Sequence, residues 1–306
     1  LIKEVLLMSD LMKNFPHIPE VARLSRLELP NGVLRMVLDT DTYNEVDDQF
    51  ALAYALQSSE QLSVESVCAA PFHNQRSTDP ANGMELSYQE ILRILDKVDL
   101  SPVDGVYKGA REYLKPGYQP VESAAASDLI ERAMASPINV PLYVVAIGAI
   151  TNVASAILLE PAIIEHIVIV WLGGHARYWP HTFEFNLMQD IPAARVVFDC
   201  GVPLVRVPCM GVTTHLTTTI PELEYYLQGH SAIGDYLVEI VRNYGQDHFA
   251  WSKVVWDVAA IAYMINPEWV PTNLLHSPII TDQVTWSFDN TRHWIRSASY
   301  VHRDPI

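Results

Sequence analysis

Positive charge is scarce in this 306-residue chain: 20 lysines and arginines stand against 36 aspartates and glutamates, a formal net charge of −16. Such a surface repels nucleic-acid phosphates and anionic membranes, so neither is expected as a partner, whereas a neutral or cationic small molecule is compatible with it. Cysteine is also sparse. Cys68, Cys200 and Cys209 form no C-x-x-C pair and sit among apolar residues, which predicts buried free thiols rather than a disulfide framework. Long apolar runs are interrupted: Val140 to Leu159 carries Gly148, Thr151 and Asn152 near its middle, a strand–turn–helix pattern rather than a membrane span. Lys3, Glu4, Asp10 and Lys13 break up the early apolar residues, so no secretory signal is expected and a cytoplasmic location is. There is no internal repeat, no low-complexity stretch, no G-x-G-x-x-G and no P-loop.

What the chain does have is a hydrophobic content of 49%, enough for a substantial core, and no linker that would divide it. Residues 1–32 read as an N-terminal extension ending in the turn signal Pro30-Asn31-Gly32, and 33–306 as one domain. Short apolar runs suited to strands buried on both faces occur at Val33–Leu38, Leu62–Ala70, Leu142–Ile147 and Ile167–Leu172. Helical stretches follow at Phe50–Leu56, around Ser87–Leu95 and at Thr151–Leu159. Strands alternating with helices predict an α/β fold with an open, mostly parallel central sheet flanked by helices, and such sheets gather ligands at the carboxyl ends of their strands.

The first strand ends in Asp39-Thr40-Asp41-Thr42-Tyr43-Asn44-Glu45-Val46-Asp47-Asp48, five carboxylates within ten residues. Like charges packed so densely repel unless a cation neutralises them, and hard carboxylate oxygens suit Ca²⁺ or Mg²⁺. The competing interpretation is a solvated acidic turn capping the next helix. Asp39-Thr40-Asp41 also resembles the D-x-D-x-T motif of haloacid-dehalogenase-like phosphatases, but Tyr43 stands where that motif has threonine, and no downstream lysine and acidic pair completes it.

Five segments in order resemble the inosine–uridine nucleoside hydrolase family: Asp39-Thr40-Asp41 with Asp47-Asp48-Gln49-Phe50-Ala51-Leu52; His73-Asn74-Gln75; Ile147-Gly148-Ala149-Ile150-Thr151-Asn152; Gly173-Gly174 with Glu184-Phe185-Asn186 and Asp190-x-x-Ala193-Ala194; and Trp256-Asp257-Val258-Ala259-Ala260. The resemblance implies a Ca²⁺-dependent N-ribosyl hydrolase that cleaves ribonucleosides to ribose and free base in purine salvage, working as a homodimer or homotetramer. It implies Asp41 as the base that deprotonates the attacking water and as a metal ligand. Asp48, Asp257 and the Ile147 carbonyl would complete the metal's ligands, with Asp39 in support. Asp47, Asn74, Glu184 and Asn186 would bind the substrate's ribose or the metal's surroundings. Cleaving an N-ribosidic bond builds oxocarbenium character on the sugar, and calcium acidifies water less than zinc does, so an adjacent carboxylate is needed as base.

Three departures from the family pattern matter. Five residues separate Asp41 from Asp47 where the signature has three, so the metal loop takes another path and Asp47 and Glu45 could exchange roles. Trp256 replaces the histidine that many members carry, as in the purine-preferring branch, and an indole there would stack on a purine or else be a core aromatic. The loop from Gly174 to Glu184 lacks the usual Gly-Asn and is rich in aromatics. Tyr178, Trp179, His181, Tyr244, His248 and Trp251 are candidate companions for Trp256. Glu184 and Asn186 are expected on an extended segment with both side chains on one side; the alternative for Asn74 is an Asx turn. The departures leave open a catalytically impaired ribose- or nucleoside-binding protein, or a hydrolase of another ribosylated small molecule.

Overall fold

The computed structural model describes residues 13–98 and 103–306. Residues 1–12 of the expected N-terminal extension, including the early apolar stretch, lie outside the described residues. An eight-stranded sheet organises the molecule. In chain order its strands are β1 (Leu34–Thr40), β2 (Leu62–Ala69), β3 (Gly105–Lys108), β4 (Leu142–Ala146), β5 (Ile167–Leu172), β6 (Leu204–Val207), β9 (Thr272–His276) and β12 (Trp294–Ala298). Short two-stranded pairs join β7 (Thr217–Thr218) to β8 (Lys253–Val254) and β10 (Ile279–Ile280) to β11 (Trp286–Ser287). The large sheet runs β3-β2-β1-β4-β5-β6-β12-β9, and only the last pair, β12 with β9, is antiparallel. The mostly parallel sheet expected from the alternating pattern is thus observed, with an antiparallel edge that the pattern did not signal.

Side-chain alternation explains why these runs lie buried on both faces. Met36 and Leu38 of β1, Tyr143 and Val145 of β4, and Val168, Val170 and Leu172 of β5 enter one core. Val37, Leu142, Val144, Ala146, Ile167, Ile169 and Trp171 enter the other. The first core is covered by α2 (Asp48–Gln57), α3 (Pro80–Lys97), α9 (Ala232–Tyr244) and α10 (Val258–Ile265). The second is covered by α4 (Ala124–Ala135), α5 (Thr151–Leu159) and α7 (Ile191–Asp199). Two short helices, α6 (Phe185–Gln189) and α8 (Ile220–Tyr226), sit in the connections.

Residues 13–32 lie against the sheet's far edge. The short helix α1 (Glu20–Arg26) accepts the Trp294 N–H on Glu20 Oε1 at 3.0 Å, and Arg23 Nε donates to the Gly201 carbonyl at 2.9 Å. Cys68, Cys200 and Cys209 are all buried and free, as expected from their apolar settings. Among the described residues no helix is long and apolar enough to cross a membrane.

Strand order decides where a ligand can sit. From β1 the chain winds outward in one direction to β2 and β3 and in the other to β4, β5 and β6, which makes the β1/β4 boundary the topological switch point. Asp39 pairs with Ala146 across that boundary, so the acidic loop after β1 and Ile147-Gly148 after β4 open into the same crevice.

Candidate active site at the switch point of the sheet

Strand β1 runs two residues beyond the expected apolar run, so Asp39 lies within it and is fully buried. Asn152 Nδ2, at the start of α5, donates to Asp39 Oδ1 at 2.8 Å, while Oδ2 has no partner. Asp41 follows, fully buried, with neither carboxylate oxygen hydrogen-bonded. Gly148 makes room for it: a Cβ at that position would lie 3.0 Å from Asp41 Oδ1. Asp48 opens α2 and accepts the Thr40 hydroxyl on Oδ1 at 2.6 Å, leaving Oδ2 unpaired.

Asp47 and Asp257 occupy the N-cap positions of α2 and α10, yet neither side chain caps its helix. Both carboxylates turn toward Asp48 instead. Asp47, Asp48 and Asp257 each offer one oxygen within 4.8 Å of the others, and all three are buried. Asp47, expected to bind the ribose or the metal's surroundings, stands in this triad. Asp41 lies outside the triad's tight spacing but close enough for its charge to act on Asp257. A solvated capping turn does not describe this arrangement.

Gathering these groups makes their ionised forms unfavourable. Burial, then the Asn152 hydrogen bond working against it, leaves Asp39 pushed up to about 7. Burial and the charge of Asp47 bring Asp48 to about 7 as well. Asp41 is raised well above the carboxylate range by burial and by Asp48, and Asp257 by burial and by Asp48, Asp47 and Asp41. Four buried carboxylate oxygens without donors, two on Asp41 and one each on Asp39 and Asp48, together with an all-oxygen ligand set, fit a hard divalent cation. Ile147 presents its carbonyl beside them, held by Asn186 Nδ2 at 3.0 Å.

One charged residue went unnoticed in the sequence. Lys253, on β8, is buried and donates to Glu45 Oε2 at 2.6 Å, to the Val254 carbonyl at 2.7 Å and to Asp47 Oδ1 at 3.4 Å. Burial disfavours its charge, but Asp47 and Glu45 outweigh that and raise its proton affinity. The only sequence signal was a lone lysine four residues before Asp257 in an apolar stretch. Glu45 is thereby engaged outside the Asp47–Asp48–Asp257 triad.

Above this floor opens a cavity of about 570 Å³, lined below by Asp47, Asp257, Ile147 and Asn186 and on its walls by Trp179, His181, Phe183 and Trp256. Trp179 and His181 are the two aromatics from the candidate set that reach it; Tyr178, Tyr244, His248 and Trp251 do not line it. Asn74 borders it while forming an Asx turn, with Oδ1 accepting from Arg76 N at 2.8 Å, and its Nδ2 donates to the Asn44 carbonyl at 3.1 Å.

The extended segment expected for Glu184 and Asn186 is not what forms. Glu184 is the N-cap of α6, accepting from Asn186 N at 2.9 Å, Leu187 N at 3.0 Å and Gly174 N at 2.9 Å. Asn186 lies inside the helix and bridges the Ile147 and Leu172 carbonyls, each at 3.0 Å. The helix forms because a buried carboxylate satisfies its first free N–H groups. Both side chains still border the cavity.

His175 ties the aromatic wall together. Its Nδ1 accepts from Met210 N at 3.2 Å, which leaves Nε2 to donate to the Phe183 carbonyl at 3.1 Å. Burial, then the neighbouring His181, lowers it to about 4, so the ring is neutral near pH 7.

Comparison with known proteins agrees with this geometry. The family model described as inosine-uridine preferring nucleoside hydrolase matches residues 36–298. A pyrimidine-specific ribonucleoside hydrolase, RihB of Escherichia coli, is 30% identical over 176 residues, 53% of this chain and 54% of the relative, so the match spans about half the length of that curated protein. Among solved structures, a plant nucleoside hydrolase, PpNRh1, superposes with a TM-score of 0.71 at 20% identity, covering 89% of this chain and 96% of the other. A purine-preferring ribonucleoside hydrolase from Gardnerella vaginalis also reaches 0.71, at 22% identity, covering 87% and 93%. These neighbours share the fold, and the family match takes in every residue of the acidic floor; the chain belongs to the inosine-uridine preferring nucleoside hydrolase family.

Proposed function

We propose that this chain is a Ca²⁺-dependent N-ribosyl hydrolase that cleaves ribonucleosides, purines preferred, to ribose and free base, with residues 33–306 as one catalytic domain. The observation that carries this reading is the set of partnerless carboxylate oxygens of Asp41 and Asp48, buried at the switch point beneath an aromatic-walled cavity. Asp47, Asp48, Asp257 and the Ile147 carbonyl are the groups that would hold the cation, with Asp41 at its flank. When bound, calcium would offset their charge and fix a ribose diol and a water in one geometry.

Asp41 is the base. Its carboxylate is buried and neither oxygen is hydrogen-bonded, so both stay open to a proton from the attacking water once a bound cation holds the group ionised. Asp39 supports it from the strand below. Glu184, Asn186 and Asn74 border the cavity beside the carboxylate floor, where sugar hydroxyls would sit. Trp256 is only partly buried: it packs against the first core and also lines the cavity, which supports a stacking role against the base. Trp179 and Phe183 also line the cavity, and aromatic surface added to Trp256 would stack on a two-ring purine more extensively than on a pyrimidine.

Base release from inosine, guanosine, adenosine and uridine, followed chromatographically with calcium supplied, tests the proposal. Faster release from the purines is expected. Failure to release base from all four refutes the ribonucleoside assignment, and faster uridine cleavage refutes the purine preference alone.

A further inference from the structure

The two additional residues between Asp41 and Asp47 raise the question of what Glu45 does beside a cation site, and the structure answers it through Lys253. The ammonium has three N–H donors and meets three acceptors: Glu45 Oε2 at 2.6 Å, the Val254 carbonyl at 2.7 Å and Asp47 Oδ1 at 3.4 Å. The lysine's backbone is fixed by the pairing of Lys253 with Thr218. Tyr244 closes the arrangement: its hydroxyl donates to Glu45 Oε1 at 3.1 Å, and its ring centroid lies 5.5 Å from Lys253 Nζ. Lysine and Asp47 side chains are 7% and 3% exposed, so little solvent screens the pair, whereas Glu45 at 39% reaches the surface.

Asp47 is therefore shared. One oxygen faces a permanent buried cation, and the carboxylate also belongs to the triad with Asp48 and Asp257. We propose that Lys253 is a built-in counter-ion of the metal site, which by sharing Asp47 and holding Glu45 aside sets the site's affinity for a divalent cation below that of the bare acidic cluster. The inference rests on the cation site of the proposed function and adds a residue that tunes it. Because the lysine comes from the segment leading into Asp257, it also spans the two chain segments that supply the acids.

Calorimetric titration of the chelator-stripped full chain with Ca²⁺ alone, and with Mg²⁺ alone, tests this without any nucleoside. Lys253→Met removes the competing charge and releases Glu45, so Ca²⁺ is expected to bind on the order of tenfold or more tightly. Glu45→Gln alters a surface side chain and leaves the ammonium to act on Asp47 alone, so Ca²⁺ is expected to bind several-fold more weakly. Lys253→Arg retains the charge and should stay close to the parent affinity. An unchanged or weakened affinity in Lys253→Met, or a tightened one in Glu45→Gln, overturns the counter-ion assignment while leaving the metal site standing. Absence of binding of either cation to the parent chain overturns both the site and this inference.

Discussion

Asp39 offers a quantitative test of whether the acidic floor is as unfavourable without a cation as its burial requires. The carboxyl is fully enclosed, one oxygen takes the Asn152 amide at 2.8 Å and the other has no donor. Asp39→Asn keeps an acceptor for Asn152 and removes the ionisation. In the unfolded chain the acid releases its proton near the ordinary 3.8, while in the folded, metal-free chain it holds it to about 7. The fold thus binds one more proton than the unfolded chain across that window, and stability falls as pH rises through it, levelling off above about 7. At about 1.4 kcal/mol per pH unit, the full effect is about 4 kcal/mol at neutral pH, against about 2 kcal/mol near pH 5. The stability of Asp39→Asn relative to the parent should therefore rise by about 2 kcal/mol between about pH 5 and 7.5. Taking the difference cancels the opposing contributions of His175 and His293, whose proton affinities burial lowers. Urea unfolding followed by tryptophan fluorescence in the presence of a chelator measures it. A difference that does not change with pH would refute the argument that an uncompensated buried carboxylate sits beneath the site.

Three further substitutions probe the proposed chemistry. Asp41→Asn should lower kcat for inosine by orders of magnitude while ribose binding persists in isothermal titration, since the base is lost and the triad is not; retention of most of kcat would remove Asp41 from the base role. Trp256→Ala should raise KM for inosine roughly tenfold and affect uridine less, measured by steady-state kinetics, because the smaller ring forfeits less stacking area. Glu184→Gln offers one oxygen where two now serve three N–H groups, two at the start of α6 and one on Gly174, and thermal or urea unfolding should show a loss of about 1–2 kcal/mol, larger than for a solvent-exposed cap.

The legible parts of this protein are those where chemistry is written in consecutive residues. A short apolar run followed by alternating acids announces a strand end carrying charge, and the collinear segments mark Asp41, Asp48, Asn186 and Asp257, which the fold gathers around one crevice. Strand order is different. Nothing in the runs at Leu204–Val207 or Trp294–Ala298 says that β12 pairs in parallel with β6 and antiparallel with β9, because that depends on how the 64 residues between β6 and β9 return the chain to the sheet. The pair Glu184 and Asn186 shows a finer limit: over three residues, an extended segment and a helix N-cap with its second helical position have the same sequence spacing, and only the N–H groups that Glu184 satisfies tell them apart. Asp47 and Asp48 pose a similar problem, since adjacent residues at a helix start point in different directions and either could have faced solvent. The buried Lys253 ammonium, 3.4 Å from Asp47, engages the side chain that leaves its helix end uncapped, and that lysine lies 206 positions from Asp47 in the chain.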